Sequence, residues 1–225
     1  MSPATQHPTP AQAVIFDLDG TLFDSLDDIA EAMNSVMSSQ GFPTHPVSSY
    51  RYFVGNGMKK LVCRAIPQEY NERPDIISRC IEQMKSEYER RWCNQSKPYR
   101  NIPALLDELE KRGIKMCILS NKPDDFTQAI HDKFFSKWHF AKVLGATAEF
   151  PLKPDPRGAL GIATAVNIEP ESIFYLGDSA VDMMTASNAG MYAIGCLWGF
   201  RDAVELQAHG AQQLLSDPLE LLDFL

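Results

Sequence analysis

Short runs of apolar residues recur along the chain, and each one ends abruptly at polar or small residues. The first run covers 13–16 and stops at Asp17; others cover 114–119, 173–176 and 191–195, with a weaker one at 141–144. Runs of this length with no polar interruption are typical of strands that are buried on both faces of a parallel sheet. The pattern therefore predicts five buried strands.

Most of these runs are followed by segments with the 3.6-residue periodicity of a helix. The clearest helical patterns cover 123–135, 156–166 and 178–189. Strands that alternate with helices indicate βαβ crossovers, which cover both faces of a parallel sheet. We therefore predict an α/β protein with a Rossmann-like parallel sheet covered by helices.

The stretch 25–97 breaks this alternation, because it has helical periodicity and no buried strand. One helix begins at Ser25, where Asp28 stands three residues on as in a capping box, and ends at Gly41. A longer helix begins near Pro74, and a shorter one is predicted at 59–66. The residues that share one face of the first helix are Leu26, Ile29, Ala30, Met33, Val36 and Met37.

These patterns divide the chain into a core and an insertion. We predict a small all-helical domain at 25–97, inserted into an α/β core that is formed by 13–24 and 98–225. The Pro-, Thr- and Gln-rich residues 1–12 are predicted to be a flexible leader.

Composition and charge narrow the function. The 225 residues include 21 Lys and Arg against 29 Asp and Glu, a formal net charge of -8. No basic cluster accompanies this acidic balance, so we expect neither nucleic acid nor a membrane as a partner. Residues 1–12 lack the features of a signal peptide, and no apolar stretch approaches the length of a membrane span, so we expect a cytoplasmic protein. Five cysteines without a C-x-x-C pair argue against a disulfide framework or a zinc site.

Candidate chemistry lies directly after the predicted strands. The carboxyl ends of parallel strands are where α/β sheets bind ligands, so polar residues at these points are expected to share one crevice. The set comprises Asp17, Asp19, Gly20, Thr21, Ser120, Asn121, Lys153, Asp178 and Asp182. Taken singly, Lys153 is equally consistent with a surface lysine, and Ser120 or Asp178 with a turn or a helix N-cap. Their joint placement favours a site.

Asp17 and Asp19 stand two apart in an extended segment, so their side chains are expected to point the same way. Two close carboxylates stay ionised only if a cation neutralises them, which predicts a hard divalent ion, Mg²⁺, with Asp178 as a further oxygen ligand. Gly20 permits the backbone to approach the ion closely, and Thr21 has hydroxyl and amide donors for an anion.

The motifs, taken in order, resemble those of the haloacid dehalogenase superfamily, in its phosphatase branch. The resemblance rests on an apolar run followed by 17–21, on Leu119-Ser120-Asn121, on Lys153-Pro154 and on Gly177-Asp178 with Asp182. The stretch 25–97 resembles the helical cap of that family. The residues at 19–25, together with Val54-Gly55-Asn56-Gly57, are similar to the phosphoglycolate phosphatase subgroup.

The resemblance implies a role for each aspartate. Asp17 would be the nucleophile that forms an aspartyl-phosphate, and Asp19 the general acid and then the general base. Mg²⁺ would be held by Asp17, by the backbone carbonyl of Asp19 and by Asp178. Asp182 would orient Lys153 or a metal-bound water without touching the metal itself.

The resemblance also implies the groups that bind substrate. Ser120 and Lys153, with backbone amides near Thr21 and Asn121, would bind the phosphoryl oxygens. Closure of the cap would bring the turn at Gly55, Asn56 and Gly57 to the substrate, although this turn is equally well explained as a plain connection between helices. Lys59 or Lys60 would be candidates to recognise a substrate carboxylate.

The expected activity is the Mg²⁺-dependent hydrolysis of a small phosphorylated metabolite, with 2-phosphoglycolate as the first candidate, by a monomer or a homodimer. Alternatives within the same chemistry are a sugar phosphate, a nucleotide or pyrophosphate as substrate, or a phosphosugar mutase. A non-catalytic phosphate-binding domain is disfavoured, because both aspartates of the first motif are present together with Ser120, Lys153 and Asp178.

Overall fold

The computed structural model describes residues 10–225, so most of the predicted leader at 1–12 lies outside the described residues. Within this range the strands are β1 (Ala13–Phe16), β2 (Phe23–Asp24), β3 (Lys97–Pro98), β4 (Lys115–Pro123), β5 (Phe140–Ala146), β6 (Ile173–Gly177), β7 (Tyr192–Cys196) and β8 (Gln213–Leu215).

The α-helices of the same range are α1 (Leu26–Ser39), α2 (Val47–Phe53), α3 (Met58–Ala65), α4 (Pro74–Glu89), α5 (Ile102–Lys111), α6 (Asp124–Ile130), α7 (Arg157–Val166), α8 (Ala180–Ala189) and α9 (Ala203–Ala208). A π-helical turn follows α6, and single 3-10 segments occur at Gln68–Tyr70, Pro170–Ser172 and Pro218–Phe224. None of the helices between residues 10 and 225 has both the length and the apolar character needed to cross a bilayer.

Six strands form one parallel sheet in the order β5-β4-β1-β6-β7-β8. This arrangement confirms the predicted α/β class. All five predicted strands are present, and β4 continues to Pro123, beyond its predicted end at 119. The edge strand β8 was not predicted.

Side chains of the central strands alternate between two hydrophobic cores, one on each face of the sheet. In β1, Val14 and Phe16 join the core that α5 completes, whereas Ala13 and Ile15 join the core that α7 and α8 complete. All four are fully buried. Burying a large aliphatic or aromatic side chain contributes about 1.5–3 kcal/mol to the free energy of folding. Because both faces of this strand are buried, apolar residues at every position stabilise the fold.

The direction in which successive strands are added to the sheet reverses at β1, and this reversal determines where a ligand site can form. The chain passes from β1 to β4 and β5 on one side, and then crosses to β6 on the other. Phe16 lies opposite Ile118 of β4 and Leu176 of β6, so the residues that follow these three come together at the carboxyl edge. A sheet with such a reversal opens a crevice at that point.

Helices α1–α4 form the cap, by which we mean residues 25–97. They surround a hydrophobic core of their own, into which Phe126 and Phe200 of the core domain also pack. The chain leaves the core domain through β2 and returns through β3, and these two short strands pair antiparallel. The cap is therefore joined to the core by a two-stranded ribbon and is seated on it by shared apolar contacts.

The predicted capping box at the start of α1 is wrong. Ser25 does precede the helix, but its side chain makes no capping hydrogen bond and donates instead to Asp19 Oδ1 at 2.6 Å. The Asp28 carboxylate accepts from the backbone N–H groups of Gln95 and Ser96 and from the Ser96 hydroxyl. Both side chains therefore bind groups outside the first turn of their own helix.

Candidate active site

Asp17 follows directly after β1 and is buried at the bottom of the crevice. Its Oδ1 accepts a hydrogen bond from Lys153 Nζ at 2.7 Å. The same ammonium donates to Asp182 Oδ1 at 2.7 Å and to the backbone carbonyl of Leu119 at 3.0 Å. An ammonium has three donors, so this structure uses all three of those on Lys153.

Three buried carboxylates, those of Asp17, Asp178 and Asp182, offer oxygens that all lie within 4.8 Å of one another. Among the described residues, Lys153 is the one ammonium group that forms ion pairs with these carboxylates. When all three carboxylates are ionised, this single positive charge leaves two negative charges uncompensated. Burial, reinforced by repulsion from Asp182, raises the pKa of Asp17 to about 7 even though Lys153 opposes the shift. Burial and then Asp182 likewise raise the pKa of Asp178.

This cluster fits a divalent cation. Asp182 uses both oxygens, because Oδ1 binds Lys153 while Oδ2 accepts from the backbone N–H and the hydroxyl of Ser179. Asp178 Oδ2 accepts from the Phe200 N–H at 2.7 Å. The hydrogen bonds given above use Oδ1 of Asp17 and Oδ2 of Asp178, so each of these two carboxylates keeps a second oxygen that can face an ion. Two such oxygens with a charge deficit of two suit a hard divalent cation.

Gly20 allows the backbone to pass beside this cluster. Its φ of +92° lies in the region that favours glycine, and a Cβ there would lie 2.3 Å from Asp178 Oδ2. A larger residue would therefore displace the Asp178 carboxylate as well as strain the backbone.

Asp19 lines the same cavity as Asp17 but has other partners. Its Oδ1 accepts from the Ser25 hydroxyl, and Lys122 Nζ binds Oδ1 at 2.9 Å and Oδ2 at 3.0 Å. Lys122 is buried, and its ammonium lies 4.5 Å from the centre of the Tyr88 ring of α4. Burial opposes the positive charge of Lys122, but Asp19 and Tyr88 together outweigh this effect and raise the pKa of the ammonium.

Sequence reasoning missed Lys122, Tyr88 and the role of Ser25. One signal for Lys122 was present, because it stands two positions after Ser120, and residues two apart in a strand share a face. The apolar run that predicts this strand ends at 119 and does not include Lys122. Tyr88 lies on the buried face of α4, and that face also borders the cavity.

The candidate phosphate-binding residues do not all meet in the crevice. Ser120 lines the cavity, and its Oγ accepts from the Lys122 N–H at 3.2 Å. The Asn121 side chain is engaged with backbone, because Nδ2 donates to the carbonyls of Gly55 and Lys153 and Oδ1 accepts from the Lys153 N–H. This amide therefore connects the cap to the loop that holds Lys153.

Thr21 is not brought to the cavity. Its side chain is fully buried, with the hydroxyl 3.6 Å from Cys196 Sγ, and its N–H donates to the Leu18 carbonyl. The chain turns immediately after Asp19. The hydroxyl and the N–H of Thr21, which were expected to bind a phosphate, therefore face the core and not the cavity.

The predicted turn of the cap reaches the cavity in part. Gly55 and Gly57 line it, whereas Asn56 does not. At Gly57, φ is +82° and a Cβ would lie 2.9 Å from Leu152 Cδ1, so a bulkier residue would strain the turn and meet the core. Lys59 and Lys60, the expected carboxylate-binding residues, are exposed and do not line the cavity.

The cavity itself lies between cap and core and has an empty volume of about 550 Å³. The polar side lies on the core and includes Asp17, Asp19, Ser120 and Lys122. The opposite side is apolar, formed by Ile29, Val54, Met58, Leu61 and Met84 of the cap with Phe126 of the core. A ligand in this cavity would have its charged end at the core and its remainder under the cap.

Comparison with known proteins agrees with this geometry. The family model described as haloacid dehalogenase-like hydrolase matches residues 14–196. A phosphoglycolate phosphatase from Psychrobacter arcticus is 31% identical over 221 residues, covering 95% of each chain. One from Vibrio cholerae is 29% identical, covering 93% of this chain and 94% of its own. A crystal structure from Lactobacillus delbrueckii subsp. bulgaricus, assigned as a phosphoglycolate phosphatase, superposes with a TM-score of 0.90 at 26% identity, covering 96% of this chain and 99% of that one.

Proposed function

The chain belongs to the haloacid dehalogenase-like hydrolase family and is a phosphoric monoester hydrolase, and from that premise we propose that it hydrolyses 2-phosphoglycolate through an aspartyl-phosphate on Asp17. The observation that carries this proposal is that Asp17 and Asp19 line one cavity but are held by different lysines. Two carboxylates in separate electrostatic environments are suited to two separate roles.

In the first step, an Asp17 carboxylate oxygen attacks phosphorus while the bond from phosphorus to the ester oxygen breaks. Lys153 binds Asp17 Oδ1 and so fixes the orientation of the attacking group before substrate arrives. Holding a nucleophile in place lowers the entropic cost of reaching the transition state. The product of this step is an acyl phosphate on Asp17 and the free alcohol.

Asp19 supplies the proton that the leaving oxygen takes up, and in the second step it accepts a proton from water. That water attacks phosphorus, the bond from phosphorus to the Asp17 oxygen breaks, and inorganic phosphate leaves with Asp17 restored as a carboxylate. Ser25 and Lys122 fix the position of the Asp19 carboxylate, and Asp19 lines the cavity. Acid and base catalysis by one residue conserves protons over the cycle.

Asp17, Asp178 and the backbone carbonyl of Asp19 would hold Mg²⁺, which supplies positive charge that lets a carboxylate approach an anionic phosphate. Ser120 and the backbone amide of Asn121 would donate hydrogen bonds to the phosphoryl oxygens. Asp182, whose oxygens both bind protein groups, would keep Lys153 in place. Donors fixed in advance in a buried site stabilise developing charge most effectively.

The choice of 2-phosphoglycolate is supported by the names of the relatives in Psychrobacter arcticus and Vibrio cholerae. A panel of 2-phosphoglycolate, sugar phosphates, nucleotides and pyrophosphate, assayed for phosphate release with and without Mg²⁺, compares the candidates directly. We expect the highest kcat/KM for 2-phosphoglycolate. Interconversion of sugar phosphates with little net release would indicate a mutase instead.

The nucleophile assignment has its own test. Asp17→Asn should lower phosphate release from an aryl phosphate by at least about 10³-fold, because an amide cannot form the acyl phosphate. Circular dichroism and thermal unfolding of the variant establish that the fold is retained. Turnover close to that of the unmodified chain in a folded Asp17→Asn variant would contradict the mechanism.

A further inference from the structure

The cavity has few groups that could bind a negatively charged substituent on the alcohol portion of a substrate. Among its described lining residues, Lys122 is the one cation. Lys153 does not line this cavity and has all three donors engaged by Asp17, Asp182 and Leu119. A carboxylate placed against the apolar side of the cavity without a cation would be strongly unfavourable.

Lys122 has capacity for one more partner. Two of its three donors go to the two oxygens of Asp19, and its other contact is with the face of the Tyr88 ring. The Tyr88 hydroxyl is buried, and its phenol lies next to the Lys122 ammonium. An ammonium and a buried phenol therefore occur together beside Asp19.

We propose that Lys122 determines substrate specificity by binding a carboxylate on the leaving alcohol, with Tyr88 lining the same subsite. This inference rests on the proposed function, in which Asp19 protonates the leaving oxygen. Lys122 Nζ lies 2.9 Å from Asp19, so a carboxylate one or two carbons from the ester oxygen would lie next to that ammonium. The class of substrate is a short phosphomonoester with a carboxylate near the ester oxygen, as in 2-phosphoglycolate.

The structure assigns this task to a core residue in place of the expected cap lysines. Lys59 and Lys60 are exposed and lie outside the cavity lining. The cap would then contribute apolar contacts, chiefly from Met58, Leu61 and Met84. These contacts limit the size of the alcohol portion, whereas Lys122 recognises its charge.

The test compares 2-phosphoglycolate with 2-phosphoglycolamide, which replaces the carboxylate by a neutral amide of similar shape. The measured quantity is the ratio of kcat/KM for the two substrates. Lys122→Met should lower this preference by about 30-fold, since removing one member of a buried charge pair has effects of this size. Lys122→Arg, which keeps the charge, should retain most of it. Lys60→Met removes an exposed lysine of the cap and serves as the matched control, with an unchanged ratio.

The ratio of the two kcat/KM values shows whether Lys122 recognises the substrate carboxylate or only holds Asp19 in position. If Lys122 only held Asp19 in place, Lys122→Met would lower both kcat/KM values by the same factor, and an unchanged ratio would overturn the inference while the proposed function stands. No preference in the unmodified chain would overturn both the inference and the choice of 2-phosphoglycolate. Failure to hydrolyse either substrate would refute the proposed function itself. Lys122→Gln, with the same expected fall, replaces Lys122→Met if loss of the whole polar group prevents folding.

Discussion

The carboxylate of Asp182 binds two unrelated groups through its two oxygens. Oδ2 completes the capping box of α8 with Ser179, and Oδ1 binds the ammonium of Lys153. Asp182 is almost fully buried, so neither bond can be replaced easily by water. One side chain thus links the start of a helix to the lysine that holds Asp17.

The two bonds of Asp182 can be separated experimentally. Asp182→Asn should lower kcat by about 10- to 100-fold, because Lys153 loses a charged partner that orients it. Ser179→Ala should cost about 1 kcal/mol of the free energy of unfolding through loss of the cap, with kcat changed far less. Steady-state kinetics and urea unfolding of both variants provide the comparison. Equal losses of kcat would mean that the helix cap, and not the bond to Lys153, is what activity requires.

At the scale of single residues, the sequence predicts which side chains reach the carboxyl edge better than it predicts their partners. Asp17, Asp178 and Lys153 follow strands or precede a helix, and parallel strands bring such positions together. The positions of Thr21 and Lys122 depend on where the chain turns after Asp19 and on how far β4 extends, and the apolar runs show neither. A difference of a few residues in either decides whether a side chain faces the cavity or the core.

At the scale of elements, the start of α1 is tied to the end of the cap. The Asp28 carboxylate, fully buried, accepts hydrogen bonds from the backbone of Gln95 and Ser96 and from the Ser96 hydroxyl. Hydrogen bonds to a charged acceptor in a buried position are stronger than neutral ones. These bonds hold together the two places where the chain passes between core and cap.

Replacing this carboxylate should loosen the cap. Asp28→Asn should lower the free energy of unfolding by about 2 kcal/mol, since an amide has one acceptor oxygen and introduces donors without partners. The neighbouring Asp27 is exposed, so Asp27→Asn is the matched control and should leave stability within about 0.5 kcal/mol. Urea unfolding followed by tryptophan fluorescence measures both. A stability loss of the same size in the two variants would contradict the proposed anchoring.

Two of the elements that the sequence did not predict, α2 and β8, are short and sparsely buried, whereas the equally unpredicted α5 has ten residues, four of them buried. In α2, Tyr50 is the buried residue of seven, so no helical period can be recognised. In β8, Leu215 is the buried residue of three, and no apolar run results. Both elements depend on contacts with neighbours that are distant in sequence. The fully buried strands β1, β6 and β7 and the regularly patterned helices α1 and α4 were predicted.

At the scale of the whole molecule, the buried carboxylates make the free energy of unfolding depend on pH and on metal binding. The pKa of Asp17 is raised to about 7 from an ordinary value near 3.8, so the folded state holds this proton more tightly than the unfolded state does. The contribution of the protonated Asp17 carboxyl to the free energy of unfolding is fully present below about pH 4 and is lost as pH rises through about 7. Asp178 has a pKa shift in the same direction. Without a cation, the fold should weaken over that interval.

Mg²⁺ should reverse this loss, because it binds the ionised carboxylates. The rise in unfolding temperature on replacing a chelator with Mg²⁺ is expected to be several degrees at pH 7.5 and much smaller at pH 5. Asp178→Asn should remove most of the rise at pH 7.5, and Asp75→Asn, on the surface of the cap, should not. Differential scanning fluorimetry at both pH values measures the effect. A rise of equal size at pH 5 and pH 7.5 would show that the ion does not bind these carboxylates.

The antiparallel ribbon of β2 and β3 has a consequence for how such proteins diversify. Because the outgoing and returning strands are hydrogen-bonded to each other, the core domain meets the cap as a closed loop whose two ends already touch. The entropic cost of closing such a loop grows only slowly with its length, so closure itself sets little limit on the length of the segment inserted there. A recombination event at this one place would exchange the apolar contacts that limit the size of the alcohol portion, while Asp17, Lys122, Lys153 and Asp178 stay in the core.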